Sequence, residues 1–218
     1  MLFSIGLYIS AFIFIDKILD LFNLQGRYYF THAIANMIIV YNTFNCMIYS
    51  YILPSINLTS FDQCGDINIF ISRNITYSIH FYHIIYYYSS LRYVDWIHHI
   101  IMIGVTLPLS HLLNHNNLLG HSFFYVTGLP GMIDYIMLFL VKNNYMHKNK
   151  EKNINTLINL WIRCPGCISN VTLSIVFLIN NLNILKLYEI IVGSITTLSI
   201  YWNGIYFMNQ VVINSIKN

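Results

Sequence analysis

Residues 94–113 read VDWIHHIIMIGVTLPLSHLL. From Trp96 to Leu113 the stretch is apolar and long enough to cross the ~30 Å hydrocarbon core of a bilayer as a helix. Its opening is different. Asp95, His98 and His99 place three ionisable groups within five positions. At spacings of i, i+3 and i+4 they share one helical face.

The rest of the chain has the same character. Of its 218 residues 56% are hydrophobic and 9% charged, with a mean hydropathy of +0.57. Soluble domains carry about 25% charged residues, so too little polar surface is present to cover a globule in water. A β-barrel would alternate polar and apolar residues, which this chain does not do. The sequence predicts an all-α, polytopic transmembrane bundle of about seven spans (six to eight). These run over Met1–Ile15, extending towards Asp20, then Tyr28–Leu53, Asn74–Tyr93, Trp96–Leu113, Leu118–Val141, Ile154–Ile179 and Ile184–Val212. Residues 1–24 form the first span and a short cytoplasmic segment, 25–212 the main transmembrane domain, and 213–218 a cytoplasmic tail. The first span lacks a positive n-region and a small-x-small cleavage site, so it reads as a span and not as a removed signal peptide.

Lysine and arginine orient the bundle. With the amino terminus outside, the inner loops hold Lys17, Arg27, Arg92, Lys142, Lys148, Lys150, Lys152 and Lys217, and the outer loops hold Arg73 and Lys186. That asymmetry predicts a lumenal amino terminus and a cytoplasmic carboxyl terminus, in an endoplasmic-reticulum-like membrane for a eukaryotic or viral chain. The Asn57-Leu58-Thr59 sequon then falls on the outer side. The net charge of +3 is modest and no basic patch is interleaved with surface aromatics, which excludes nucleic acid as a partner.

Helical rise converts sequence distance into depth. His98 and His99 lie roughly 9–10 Å in from Arg92, His32 about 8 Å from Arg27, Asp134 about 12 Å from Lys142, and Arg163 roughly 16 Å from Lys152. All fall in the cytoplasmic half of the membrane. Ionisable groups there cost about 2.5–3.5 kcal/mol each on insertion scales, so they are expected to face the bundle interior and find partners. Asp134 and Arg163 are the expected ion pair. Asp95 is placed to accept from a ring N–H of His98 or His99, which would leave the other nitrogen free as a base. Together these residues are expected to line a polar cavity open to the cytoplasm.

His80, His83, His111, His115 and His121 read as a second polar layer near the opposite face. They are the lesser alternative, a metal site for an oxidase or hydroxylase. His98 and His111 are about 20 Å apart on a straight helix, so the paired histidines and the HLLNH element at 111–115 cannot serve one centre. CPGC at 164–167 lies inside the sixth span without a second cysteine pair, and Pro165–Gly166 read as a helix break.

The DxxHH element, Asp95, His98 and His99 in DWIHH, is followed about 35 residues later by a membrane-embedded aspartate, Asp134 in GLPGMIDYIMLFLVK. This pattern resembles the TLC domain, the multi-pass fold of the ceramide synthases and their relatives. NLWIRCPG at 159–166 is similar to the later part of shorter TLC-like proteins. The resemblance covers about residues 25–212 and implies a helical bundle around a lipid-sized cavity. In the synthases the paired histidines are needed to transfer an acyl chain from coenzyme A to a sphingoid amine. Carried over, His98 and His99 would be a general base and its partner, with acyl-coenzyme A as co-substrate and no other cofactor. Of that family's second acidic motif only Asp134 and Lys142 match. Several relatives organise or sense lipids. The leading expectation is therefore a protein that binds or organises membrane lipids, with lipid acyl transfer as the alternative.

Overall fold

The computed structural model describes residues 1–52, 64–113 and 116–216, and all regular structure among them is helical. Seven helices follow one another: α1 (Leu2–Leu21), α2 (Arg27–Ile52), α3 (Asp66–Tyr86), α4 (93–110), α5 (Asn116–Lys142), α6 (Lys148–Asn180) and α7 (Leu187–Ile216). Four of them, α1, α5, α6 and α7, are long and apolar enough to cross a membrane. Helices α2 and α3, at 26 and 21 residues, have the length but carry buried polar residues, including His32, Asn36, Asn74 and His80. The outer surface is apolar, with Leu2, Phe3, Phe14, Trp161 and Leu198 exposed on it. The chain reads as an integral membrane protein.

Packing closes a ring in the order α2–α3–α4–α7–α6–α5 and back to α2, with α1 lying outside against α3 and α2. Lipid tails are as apolar as leucine, so burial alone does not hold such helices together, and close backbone approach does. Glycines provide it between α2 and α5. A Cβ on Gly120 would collide with Cys46, 2.8 Å from its Sγ, and one on Gly131 would lie 2.5 Å from the Asn36 amide nitrogen. A core of Phe12, Ile39, Ile75, Tyr82, Leu107 and Phe123 joins α1 to α5.

Among the described residues three prolines sit within helices, and each follows a π-turn by two residues. Met102–Thr106 precedes Pro108, Phe123–Gly128 precedes Pro130, and Asn159–Arg163 precedes Pro165. A proline ring clashes with the carbonyl of the preceding turn and offers it no N–H. Widening that turn relieves the clash. The break expected at Pro165–Gly166 is therefore a π-turn inside a continuous α6. Gly166 serves a close approach, since a Cβ there would overlap the Tyr125 ring of α5.

Both ends of the bundle are tied. On the basic side, Gln25 donates its backbone N–H to Asn143 Oδ1 at 2.9 Å and accepts from Asn143 Nδ2 at 2.9 Å, joining the α1–α2 and α5–α6 turns. Gly26 in that turn has φ +64°, where a side chain would also meet Lys142. Nearby, buried Asp16 of α1 accepts from Tyr82 at 3.0 Å and from Tyr87, and Arg27 lies 3.5 Å from it. On the opposite side, Cys46 and Cys64 form a disulfide with Cα atoms 4.8 Å apart.

Candidate functional site

Five histidines from three helices meet in the half of the bundle nearest the basic turns. His32 comes from α2, His80 and His83 from α3, and His98 and His99 from α4. Ring centroids are 5.1 Å apart for His32–His83, 5.2 Å for His80–His98, 5.1 Å for His80–His99, 5.5 Å for His83–His99 and 5.6 Å for His98–His99. Tyr135 of α5 stacks on His32 at 3.9 Å, and Tyr28 meets the His83 edge at 5.6 Å.

Local sequence explains how α4 delivers its pair. Arg92 caps the helix, and Asp95 accepts from the Arg92 backbone N–H at 3.0 Å and from its Nε and Nη2 at 3.0 and 3.1 Å. An acid in the first turn also complements the helix dipole. The Asp95 hydrogen bonds and charge push the pKa of Arg92 up from its ordinary value. One turn further on, His98 and His99 reach α3. Asp95 is thus committed to the cap and to Arg92, and does not act as the hydrogen-bond partner expected for the histidine pair.

The cluster gathers five of the unpartnered buried polar atoms of the described residues at one place. His32, His80, His83 and His99 are only 7%, 2%, 4% and 4% exposed. Yet His32 Nδ1, His80 Nδ1 and Nε2, His83 Nε2 and His99 Nδ1 have no hydrogen-bond partner. Each orphaned buried polar atom costs ~1–3 kcal/mol. Five together cost about 5–15 kcal/mol, the size of a whole domain's net stability. Such a concentration of unpartnered ring nitrogens is suited to holding a polar ligand. His98 lies on the exposed flank of α4, among the exposed side chains of Ile97, Ile100 and Ile101, and joins the cluster to the surroundings.

His121 supplies the contrast. It is fully buried, but Ser50 Oγ lies 2.7 Å from its Nδ1, and Ser169 Oγ and Tyr51 Oη lie 3.2 and 3.4 Å from its Nε2. Both ring nitrogens are partnered, so His121 ties α2, α5 and α6 together. His111 likewise has Arg73 Nη1 3.1 Å from its Nδ1, while Arg73 Nη2 donates to Ser110 O at 2.7 Å. The single histidine layer expected on the outer face is therefore divided. His80 and His83 join the cluster near the basic turns, His111 and His121 hold helices, and His115, like the Asn57 sequon, lies outside the described residues.

The chain matches no family model, no curated protein and no solved structure.

Arg163 and Asp134 do not pair. Among the described residues the ion pairs are Arg27 with Asp16 and Asp20, and Arg92 with Asp95. Arg163 instead donates to Val126 O at 3.0 Å and Asn159 Oδ1 at 3.2 Å, and lies over the Phe207 ring at 5.0 Å. Val126 stands four residues before Pro130, so its carbonyl is one that the proline leaves without a helical donor. Arg163 is the side chain that fills that vacancy. Asp134 Oδ1 is buried without a partner, one residue from the Tyr135 that stacks on His32.

A small cleft opens between α5, α6 and α7, lined by Leu118, Asn170, Phe177, Glu189 and Thr197 among others. These residues stand towards the ends of their helices remote from the basic turns, away from the five-histidine cluster. The free cysteines Cys164 and Cys167 are buried in α6, with Cys167 packed against Gly204 of α7.

Proposed function

We propose that this protein is a multi-pass membrane protein that binds the polar end of a membrane lipid at the histidine cluster, and that all seven helices cross the bilayer in a TLC-like arrangement. One observation carries the reading: five buried ring nitrogens without partners, gathered at one place by three helices. A headgroup offering both donors and acceptors satisfies them. The exposed flank of α4 at His98 is where it enters from the bilayer, with its tails remaining against the apolar surface. The Cys46–Cys64 disulfide supports the orientation with the histidines on the cytoplasmic side, because disulfides persist in oxidising compartments. An endoplasmic-reticulum-like membrane fits that requirement.

Native mass spectrometry after gentle extraction tests the reading. Wild type should retain a lipid that His80→Leu and His99→Leu lose. Equal lipid retention by all three would overturn it.

A second reading is lipid acyl transfer, favoured by the unpartnered nitrogens of His80 and His99 beside the accessible His98. Such a ring can take a proton from an amine or hydroxyl, with acyl-coenzyme A arriving from the cytoplasm. It requires acyl label to enter lipid in membranes carrying wild type above the level seen with His98→Ala and His99→Ala. Equal incorporation removes it.

A further inference from the structure

We propose that His80, His98 and His99 form a site for one divalent transition-metal ion, zinc by preference, inside the histidine cluster. Each of the three offers a ring nitrogen, and these atoms lie within 4.8 Å of one another. Zinc–imidazole bonds of about 2.0–2.1 Å at tetrahedral angles place ligand nitrogens about 3.4 Å apart. Closing the site therefore requires each pair to contract by at most about 1.4 Å, within reach of side-chain rotation and independent of backbone movement. Three imidazoles with a fourth position open is the ligand count of a zinc site that accepts an outside ligand. Neutral imidazole also suits copper, iron and nickel, whereas magnesium and calcium require oxygen donors.

The unpartnered state of these rings is the independent observation. His80 is buried with both nitrogens free, and His99 is buried with Nδ1 free. A metal takes one nitrogen per ring and polarises the other N–H. The neighbouring His83, 5.5 Å from His99 by ring centroid, stands where a second layer of partners belongs. Charge then defines the fourth ligand. The ion brings two positive charges into the bundle, and the one acid of α4, Asp95, is already bound to Arg92. The open position takes an anionic oxygen, either hydroxide or the phosphate or carboxylate of a lipid headgroup. Only this last step rests on the lipid-binding reading.

The test uses the full chain in detergent, stripped with a chelator and reloaded with Co²⁺ alone. Wild type should bind one equivalent and develop the visible absorption of tetrahedral cobalt. Elemental analysis of protein that has not been stripped should show near-stoichiometric zinc. His98→Ala changes an exposed ligand, so it should fold as wild type does but lose the cobalt spectrum. His83→Ala should keep the spectrum and weaken binding roughly 10–100-fold. His111→Ala, on the far side of the bundle, should bind as wild type. Substoichiometric metal in wild type, or an unchanged spectrum in His98→Ala, overturns the proposal. Retention of lipid by protein that binds no cobalt would overturn the metal site and leave the lipid reading standing. Metal without lipid would do the reverse.

Discussion

Replacing His80 by leucine should stabilise the stripped protein and destabilise the loaded one. The side chains are similar in volume, and His80 is buried with neither ring nitrogen partnered. Removing two such atoms recovers about 2–6 kcal/mol. Imperfect repacking of a volume-conserving exchange returns up to about 1.5 kcal/mol. For a chain of this length, each kcal/mol moves Tm by about 2–4 °C, so the stripped variant should melt several degrees above wild type. The assay is thermal unfolding in detergent by intrinsic fluorescence, on protein treated with chelator and exchanged free of native lipid. A parallel sample is taken as extracted. There wild type carries its ligand, and the variant should melt at the lower temperature. A variant less stable than wild type in the stripped state would refute the reasoning, because the ring nitrogens would then be satisfied without any ligand.

Other parts of the structure make their own predictions. Gly120→Ala should destabilise by about 1–3 kcal/mol through overpacking against Cys46, whereas Gly104→Ala, with nothing within 4 Å of its added Cβ, should be neutral or slightly stabilising; denaturation midpoints compare them. The Cys46–Cys64 bridge, with a sequence separation of 18, should contribute about 3 kcal/mol. Maleimide added to the detergent-solubilised chain should label the pair only after reduction. Pro130→Ala restores a backbone N–H near Val126 O, so Arg163→Met should cost about 1 kcal/mol less in that background than in wild type, read as the coupling in a double-mutant cycle.

The number and order of the helices were legible in the sequence, because apolar run length and the placement of basic residues are strong signals. The caps were partly legible too. Asp95 stood at the start of a helix, where an acid is favourable, though its bond to Arg92 displaced the expected one to histidine. The misplaced element was α3. Asp66 and Arg73 read as loop residues, which put the start of the span at Asn74 and His80 near its outer end. In the structure the helix begins at Asp66, so His80 lies fourteen residues, roughly 21 Å, along it. The polar start is tolerated because Arg73 binds Ser110 O and His111, and Asp66 accepts from Asn116. Those partners come from other helices and leave no local trace.

The role of Arg163 was hidden for a related reason. An aspartate at similar depth looked like its partner, but the stronger demand came from a carbonyl vacated by Pro130 on a neighbouring helix. The disulfide was equally silent, since the sequence places Cys46 within a span and Cys64 in the polar stretch that precedes the next one. The glycines gave no signal that distinguished Gly120 and Gly131, which helices press against, from Gly104, which nothing touches.

The most direct test of the histidine cluster is a high-resolution structure of the chain in lipid nanodiscs. Density for a headgroup oxygen or a bound ion within coordinating or hydrogen-bonding distance of His80 and His99 is the predicted result. Histidine rings whose nitrogens contact only protein groups, with lipid confined to the outside of the ring of helices, would contradict the account.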